Sequence, residues 1–333
     1  MSHLPNPEIV SKHGARIVKH LSRRQFLQTS AAGVAAAAVS GHASAASAKR
    51  KFTSNLACGS VGIRADQREA IRLAARYGFE AVEPSPQFLV GLSADELQEL
   101  LAELKAKKLV WGVAGLPVDF RRDEDKFKSG LEKLPALAEG LKRAGATRVG
   151  TWIRPCHASL DYAANLKQHA RRLREVAKVL GDAGQRFGLE YVGPKTSWTK
   201  LRYPFIHSMA ETKKLIAEIG RPNVGLVLDS WHWYTAGETE ADLLTLKNKD
   251  VVACDLNDAP AGIPVDKQMD LSRELPCATG VIPLKTCLGA LVKIGYDGPI
   301  RAEPFNKRLN AMDNEPAAAA VAAAMKKAFS LVE

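Results

Sequence analysis

The chain has 333 residues, 46% hydrophobic and 25% charged, a balance that excludes wholesale disorder and is ordinary for a globular protein. Its 47 Lys and Arg outnumber its 36 Asp and Glu, giving a formal net charge of +11. The excess is partly local (Lys12, Arg16, Lys19, Arg23 and Arg24 against Glu8), and elsewhere the basic residues are spread along helical stretches with no Lys/Arg block. Charge therefore gives no ground for a nucleic-acid partner and suits an anionic or neutral small molecule equally well.

Residues 1–48 read as an address. Ser22-Arg23-Arg24-Gln25-Phe26-Leu27 precedes a soft apolar run at 31–39, and small residues then surround Ala43-Ser44-Ala45 and Ala46-Ser47-Ala48. A charged region, a mild apolar core and an A-x-A site make a secretory signal, and the paired arginines make it resemble a twin-arginine leader. Gln28 stands where that leader usually carries Lys. The plainer alternative is an amphipathic tail with a chance Arg-Arg. The leader predicts export of a folded protein to the periplasm or another extracytoplasmic space. Its apolar run is too short and too rich in Ala and Gly for a stable membrane span, and no other stretch approaches one. The five cysteines (Cys58, Cys156, Cys254, Cys277, Cys287) are odd in number and lack a CxxC pair, so they form neither a disulfide framework nor a thiolate zinc site.

From residue 49 one unit recurs: an amphipathic helix, a glycine, then an apolar run. Gly78, Gly145, Gly188, Gly220 and Gly295 are each read as closing a helix before the runs at 80–83, 148–152, 189–192, 224–229 and 299–303. Runs at 56–61, 109–116 and 251–256 raise the number of strands to eight. Helical spacing marks 66–77, 94–107, 166–180 and 315–331. Eight strand–helix units predict an α/β fold, a single (β/α)8 TIM barrel over 49–333. An open doubly wound sheet lacks support, because no phosphate-binding glycine loop follows any strand.

Acidic residues sit at or near the ends of five runs: Glu83, Glu190, Asp229, Asp255 and Glu303. A barrel gathers those ends around one mouth. Any one of them reads most simply as a strand-end cap or a salt bridge. Four on adjacent strands (Glu190, Asp229, Asp255, Glu303) form a candidate first shell for a divalent cation, since clustered buried carboxylates need positive charge. Oxygen ligands favour Mg or Mn, with Zn or Co as alternatives.

Leu189-Glu190-Tyr191-Val192-Gly193-Pro194-Lys195-Thr196, Leu228-Asp229-Ser230-Trp231-His232, Asp255-Leu256-Asn257-Asp258-Ala259-Pro260 and Ala302-Glu303-Pro304-Phe305 occur in that order. Together they resemble the sugar phosphate isomerase/epimerase family of xylose-isomerase-like TIM barrels, over nearly the whole chain after the leader. The resemblance implies a metal held by Glu190, Asp229, Asp255 and Glu303, and proton transfer by Glu190 and Glu303. Many relatives carry His where this chain has Asp255. His232, in the retained D-x-x-H spacing, would contact substrate; an orienting role beneath the metal is the alternative.

Such a site removes a proton next to a carbonyl, passes through an enediolate and returns the proton. Further candidate substrate contacts are Glu83, Lys195, His157, Trp152 and Trp231. The lysine and His157 read equally as loop residues, and some of the tryptophans as core. The expected function is a metal-dependent isomerase or epimerase of a carbohydrate, with a homo-oligomer left open. A lyase or hydratase on keto-glycosides would share the first step. An endonuclease IV-like phosphodiesterase needs more histidines than His157, His169, His207 and His232, and intact Glu190 and Glu303 argue against a non-catalytic sugar-binding barrel.

Overall fold

A computed structural model describes residues 49–333, so the leader-like segment at 1–48 lies outside the described residues. The strands are β1 (Thr53–Leu56), β2 (Ala81–Val82), β3 (Val110–Trp111), β4 (Ala114–Gly115), β5 (Arg148–Trp152), β6 (Cys156–His157), β7 (Arg186–Glu190), β8 (Tyr203–Pro204), β9 (Val224–Asp229), β10 (Val251–Leu256) and β11 (Pro299–Ala302). Nine of them form one sheet in the order β3-β2-β1-β11-β10-β9-β7-β5-β4, and β6 pairs with β8 in a separate antiparallel ribbon. Every pair in the large sheet is parallel. Its two edges, β3 and β4, are halves of a single run interrupted at Gly112 and Val113. The sheet thus curls until both edges come from one segment: a TIM barrel with a split third strand.

Amphipathic helices follow the strands, among them Gln67–Arg76, Ala94–Ala106, Tyr162–Asp182 and Asn314–Phe329. Asp66 caps the first by accepting from the Glu69 N–H, and Ser93 with Glu96 makes a capping box at the second. Most of the core lies between sheet and helices, with Phe187, Leu189, Leu226, Leu228 and Leu256 buried. A separate cluster of Val113, Val227 and Ala253 plugs the barrel interior.

Two expectations need correction. The first strand ends at Leu56, and the run predicted beyond it becomes a 3-10 turn at Gly59–Val61 closed by left-handed Gly62. Gly188 does not close a helix. The helix ends at Asp182, Gly184 takes the left-handed turn, and Gly188 lies inside β7. A Cβ there would come within 2.7 Å of Val227 and 3.0 Å of Val252, so the glycine lets barrel strands pack closely.

Candidate active site

Parallel strands bring all their carboxyl ends to one rim. Glu190 ends β7, Asp229 ends β9, Asp255 lies near the end of β10 and Glu303 follows β11. All four are buried, and each offers an oxygen such that the four lie within 4.8 Å of one another. Glu190, Asp229 and His232 form a second group of the same tightness.

Two arginines enter this cluster. Asp255 accepts from Arg301 through both oxygens, Nε at 2.8 Å and Nη2 at 2.9 Å, and Arg301 Nη2 also donates to Glu303 Oε1 at 2.9 Å. Arg273 arrives from the loop after β10. Its Nη1 donates to Asp229 Oδ2 at 2.8 Å and Glu303 Oε2 at 3.3 Å, and its Nη2 to Asp270 Oδ1 at 2.7 Å. Asp229 Oδ1 accepts from the Trp231 N–H and from Asn257 Nδ2, both at 2.8 Å. Glu190 stands apart: its Oε1 is buried with no hydrogen-bond partner.

Burial pushes the Glu190 carboxyl well above its ordinary range, and the charges of Glu303, Asp229 and Asp255 add to it. Burial also raises Glu303, to about 7, against the opposing pull of Arg301. Counted as fully ionised, five carboxylates (Glu190, Asp229, Asp255, Asp270, Glu303) face two hydrogen-bonded guanidiniums, a formal excess of three negative charges that the raised Glu190 and Glu303 relieve by holding protons. That excess, with an orphaned oxygen on Glu190, fits a divalent cation.

His232 is buried, with Nε2 at 3.8 Å from Glu190 Oε1 and 3.7 Å from Asp229 Oδ2. Its Nδ1 accepts from the Gly193 N–H at 3.2 Å, and its Nε2 has a longer contact, 3.4 Å, with Arg273 Nη2. Burial lowers its pKa to about 4, so the ring is neutral. With Nδ1 accepting from a fixed backbone donor, the hydrogen resides on Nε2, which faces the carboxylates. A Cβ at Gly193 would lie 2.5 Å from the His232 carbonyl oxygen, so glycine permits this approach.

A cavity of about 240 Å³ opens on the cluster, lined by Glu190, Asp255, Glu303, Arg301, Arg121 and Trp152 among others. Trp152 is 41% exposed, and its ring lies 4.2 Å from the Arg121 guanidinium. Arg121 is held by the Trp152 carbonyl and by Thr151 Oγ1. Glu83 lies beside Gly115 at the rim of an adjoining groove, its carboxyl raised by burial.

Other expected contacts stand away from the cavity. Trp231 is fully buried beneath the Arg273 guanidinium, 5.3 Å from it, and braces that arginine. Lys195 is exposed and lies 3.8 Å from Asp266. His157 Nδ1 accepts from the Leu160 and Ser159 N–H groups. Arg273, Arg301 and Arg121 belong to the site without standing in any of the motifs that mark the carboxylates. A signal existed for Arg301, because two residues before Glu303 on a strand is the same face; nothing local marks Arg273.

Fold and site together define a TIM-barrel enzyme with an acidic mouth. The model of the xylose isomerase-like TIM barrel family matches residues 71–328, and the chain belongs to that family. A twin-arginine translocation signal model matches residues 20–40, which supports export by that route. An inosose isomerase of Bacillus velezensis is 22% identical over 244 residues, covering 72% of this chain and 83% of its own. Among solved structures, a xylose isomerase domain protein of Alicyclobacillus acidocaldarius has a TM-score of 0.73 and 33% identity, covering 84% of this chain and 99% of its own. The IolI protein with a bound zinc atom has a TM-score of 0.70 and 20% identity, covering 85% and 99%. The 3-keto-D-glucoside 4-epimerase of E. coli has a TM-score of 0.63 and 17% identity, covering 85% and 100%.

Proposed function

We propose that this protein is a divalent-cation-dependent isomerase or epimerase of a carbohydrate or polyol-derived ketone, working outside the cytoplasm. The observation that carries the reading is the unpartnered carboxyl of Glu190, facing the same small cavity as Glu303 within a cluster of excess negative charge. Glu190, Asp229 and Glu303, with Asp255 beside them, are the residues that would hold the cation. When bound, the cation supplies Lewis-acid polarisation of the substrate carbonyl. Zn or Mn suits the reading as well as Mg, given the zinc in the IolI structure.

Glu190 takes the proton from the carbon next to the carbonyl, which leaves an enediolate, and Glu303 returns a proton to that carbon or its neighbour. His232, buried behind the cluster with its Nε2 beside Glu190 and Asp229, acts as an orienting group for those carboxylates. Trp152 presents a ring face to the sugar at the mouth, held by Arg121. Incubation with ketoses, inososes and keto-glycosides in D2O tests this. Deuterium should appear at an α-carbon in a cation-dependent way; no exchange across such a panel would sink the proposal.

A lyase acting on keto-glycosides is the second reading, favoured by the groove that adjoins the cavity. It measures about 260 Å³, shares Gly115 with the cavity and is lined by Cys58, Gly59, Glu83 and Ser85. It gives room for a substituent beyond one ring. Release of the aglycone in the same assay identifies the lyase.

A further inference from the structure

We propose that Arg301 withdraws Asp255 from the cation site, so that Glu190, Asp229 and Glu303 alone are its carboxylate ligands. This rests on the cation-dependent reading above and narrows its ligand set. Asp255 and Arg301 face each other directly in the β10–β11 ladder, so their side chains leave the sheet side by side. The guanidinium grips both oxygens, at 2.8 and 2.9 Å, in the fork-to-fork geometry that is strongest for this pair. Arg301 is pinned a third time by Glu303 Oε1. To turn Asp255 towards a cation would strip a bidentate bond from a guanidinium in the barrel interior.

The other carboxylates are held differently. Glu190 Oε1 has no partner, whereas Asp229 Oδ2 and Glu303 Oε2 divide a single amino group of Arg273, at 2.8 and 3.3 Å, and Glu303 Oε1 takes only the second bond of an Arg301 amino group already given to Asp255; neither receives a guanidinium fork of its own. The charge divides the same way. Asp255 and Arg301 cancel, so the excess negative charge belongs to Glu190, Asp229, Asp270 and Glu303, which share the one guanidinium of Arg273. His232 does not replace Asp255, because its Nδ1 accepts from the Gly193 N–H and its Nε2 lies against the Arg273 guanidinium. A site with three protein carboxylates keeps positions open for substrate oxygens.

Titration calorimetry of the full chain with Mn2+ tests the assignment without reference to turnover. D229N should weaken Mn2+ binding at least 100-fold, and D255N less than threefold. R301M should free Asp255 and tighten binding severalfold, a gain that R301M/D255N abolishes. Thermal melts verify folding, and if a single variant does not fold, D255L/R301M removes the pair together and should still bind Mn2+ within threefold of wild type. Equal losses in D255N and D229N would overturn the inference and leave the cation site standing. If the wild-type chain binds none of Mn2+, Mg2+ or Zn2+, the cation-dependent reading falls, and this inference with it.

Discussion

The two ends of the barrel bury charge in opposite ways. At the amino-terminal end, Arg148 and Arg186 open β5 and β7. Arg148 donates to the Val252 carbonyl at 2.8 Å and to Asp297 at 3.0 Å, while Arg186 donates to the carbonyls of Lys249 and Val251 at 2.8 and 2.9 Å. At the carboxyl end of the same β7, Glu190 has an oxygen with no partner inside a surplus of like charge. A partly buried ion with its partners in place ties strands together. One without them stores free energy that a cation, a proton or a substrate can release. Unsatisfied charge, and not burial alone, separates the working end from the structural one.

The largest expected effect breaks the mouth and spares the fold. E190Q should lower α-proton exchange by about 10³ to 10⁴, near the upper range for a positioned base, with the melting temperature unchanged or raised because a crowded charge is gone. Stopped D2O assays and calorimetry read the two separately. Next, R273A leaves Asp229 and Asp270 without their guanidinium and should cost about 3 kcal/mol or more in urea unfolding. At the other end, R186M leaves the carbonyls of Asn248, Lys249 and Val251 without that donor. It should cost only ~1–3 kcal/mol and leave Mn2+ affinity unaltered.

A pH series sharpens the contrast from outside both ends. His169 is buried between Phe120 and Phe205, and burial lowers its pKa to about 4. The unfolded chain binds that proton more readily, near pH 6.5, so the stability gained by keeping the ring neutral is complete above that pH. It is lost as pH falls from about 6.5 towards 4, by up to ~3 kcal/mol. H169Q should remove the share of this loss that His169 supplies and leave the share of His232, which burial also lowers to about 4.

Several elements were legible as residue patterns. The runs at 224–229 and 251–256 are β9 and β10, because strands packed on both faces show nearly unbroken apolar stretches, and the run at 148–152 is β5, marked by the glycine-closed helix before it. The carboxylates were legible for a related reason: acids placed next to such runs are conspicuous. The split of the third strand was not, since Gly112 and Val113 read as ordinary members of an apolar run. Nor was Gly188, whose role depends on Val227 and Val252 from other strands. Where relatives of the resembled family carry a neutral histidine, Asp255 and Arg301 together also sum to zero charge, a pairing visible only once β10 and β11 lie in register.

The order of apolar runs and their acidic ends thus determined a barrel with a carboxylate rim, because strand formation and burial follow local spacing. Only the tertiary structure decided which carboxylates meet an arginine and which, Glu190, does not. Arg273 is 44 residues from Asp229 in sequence and Arg301 is 46 from Asp255. Electrostatic compensation acts through distance in space, which the linear chain does not record.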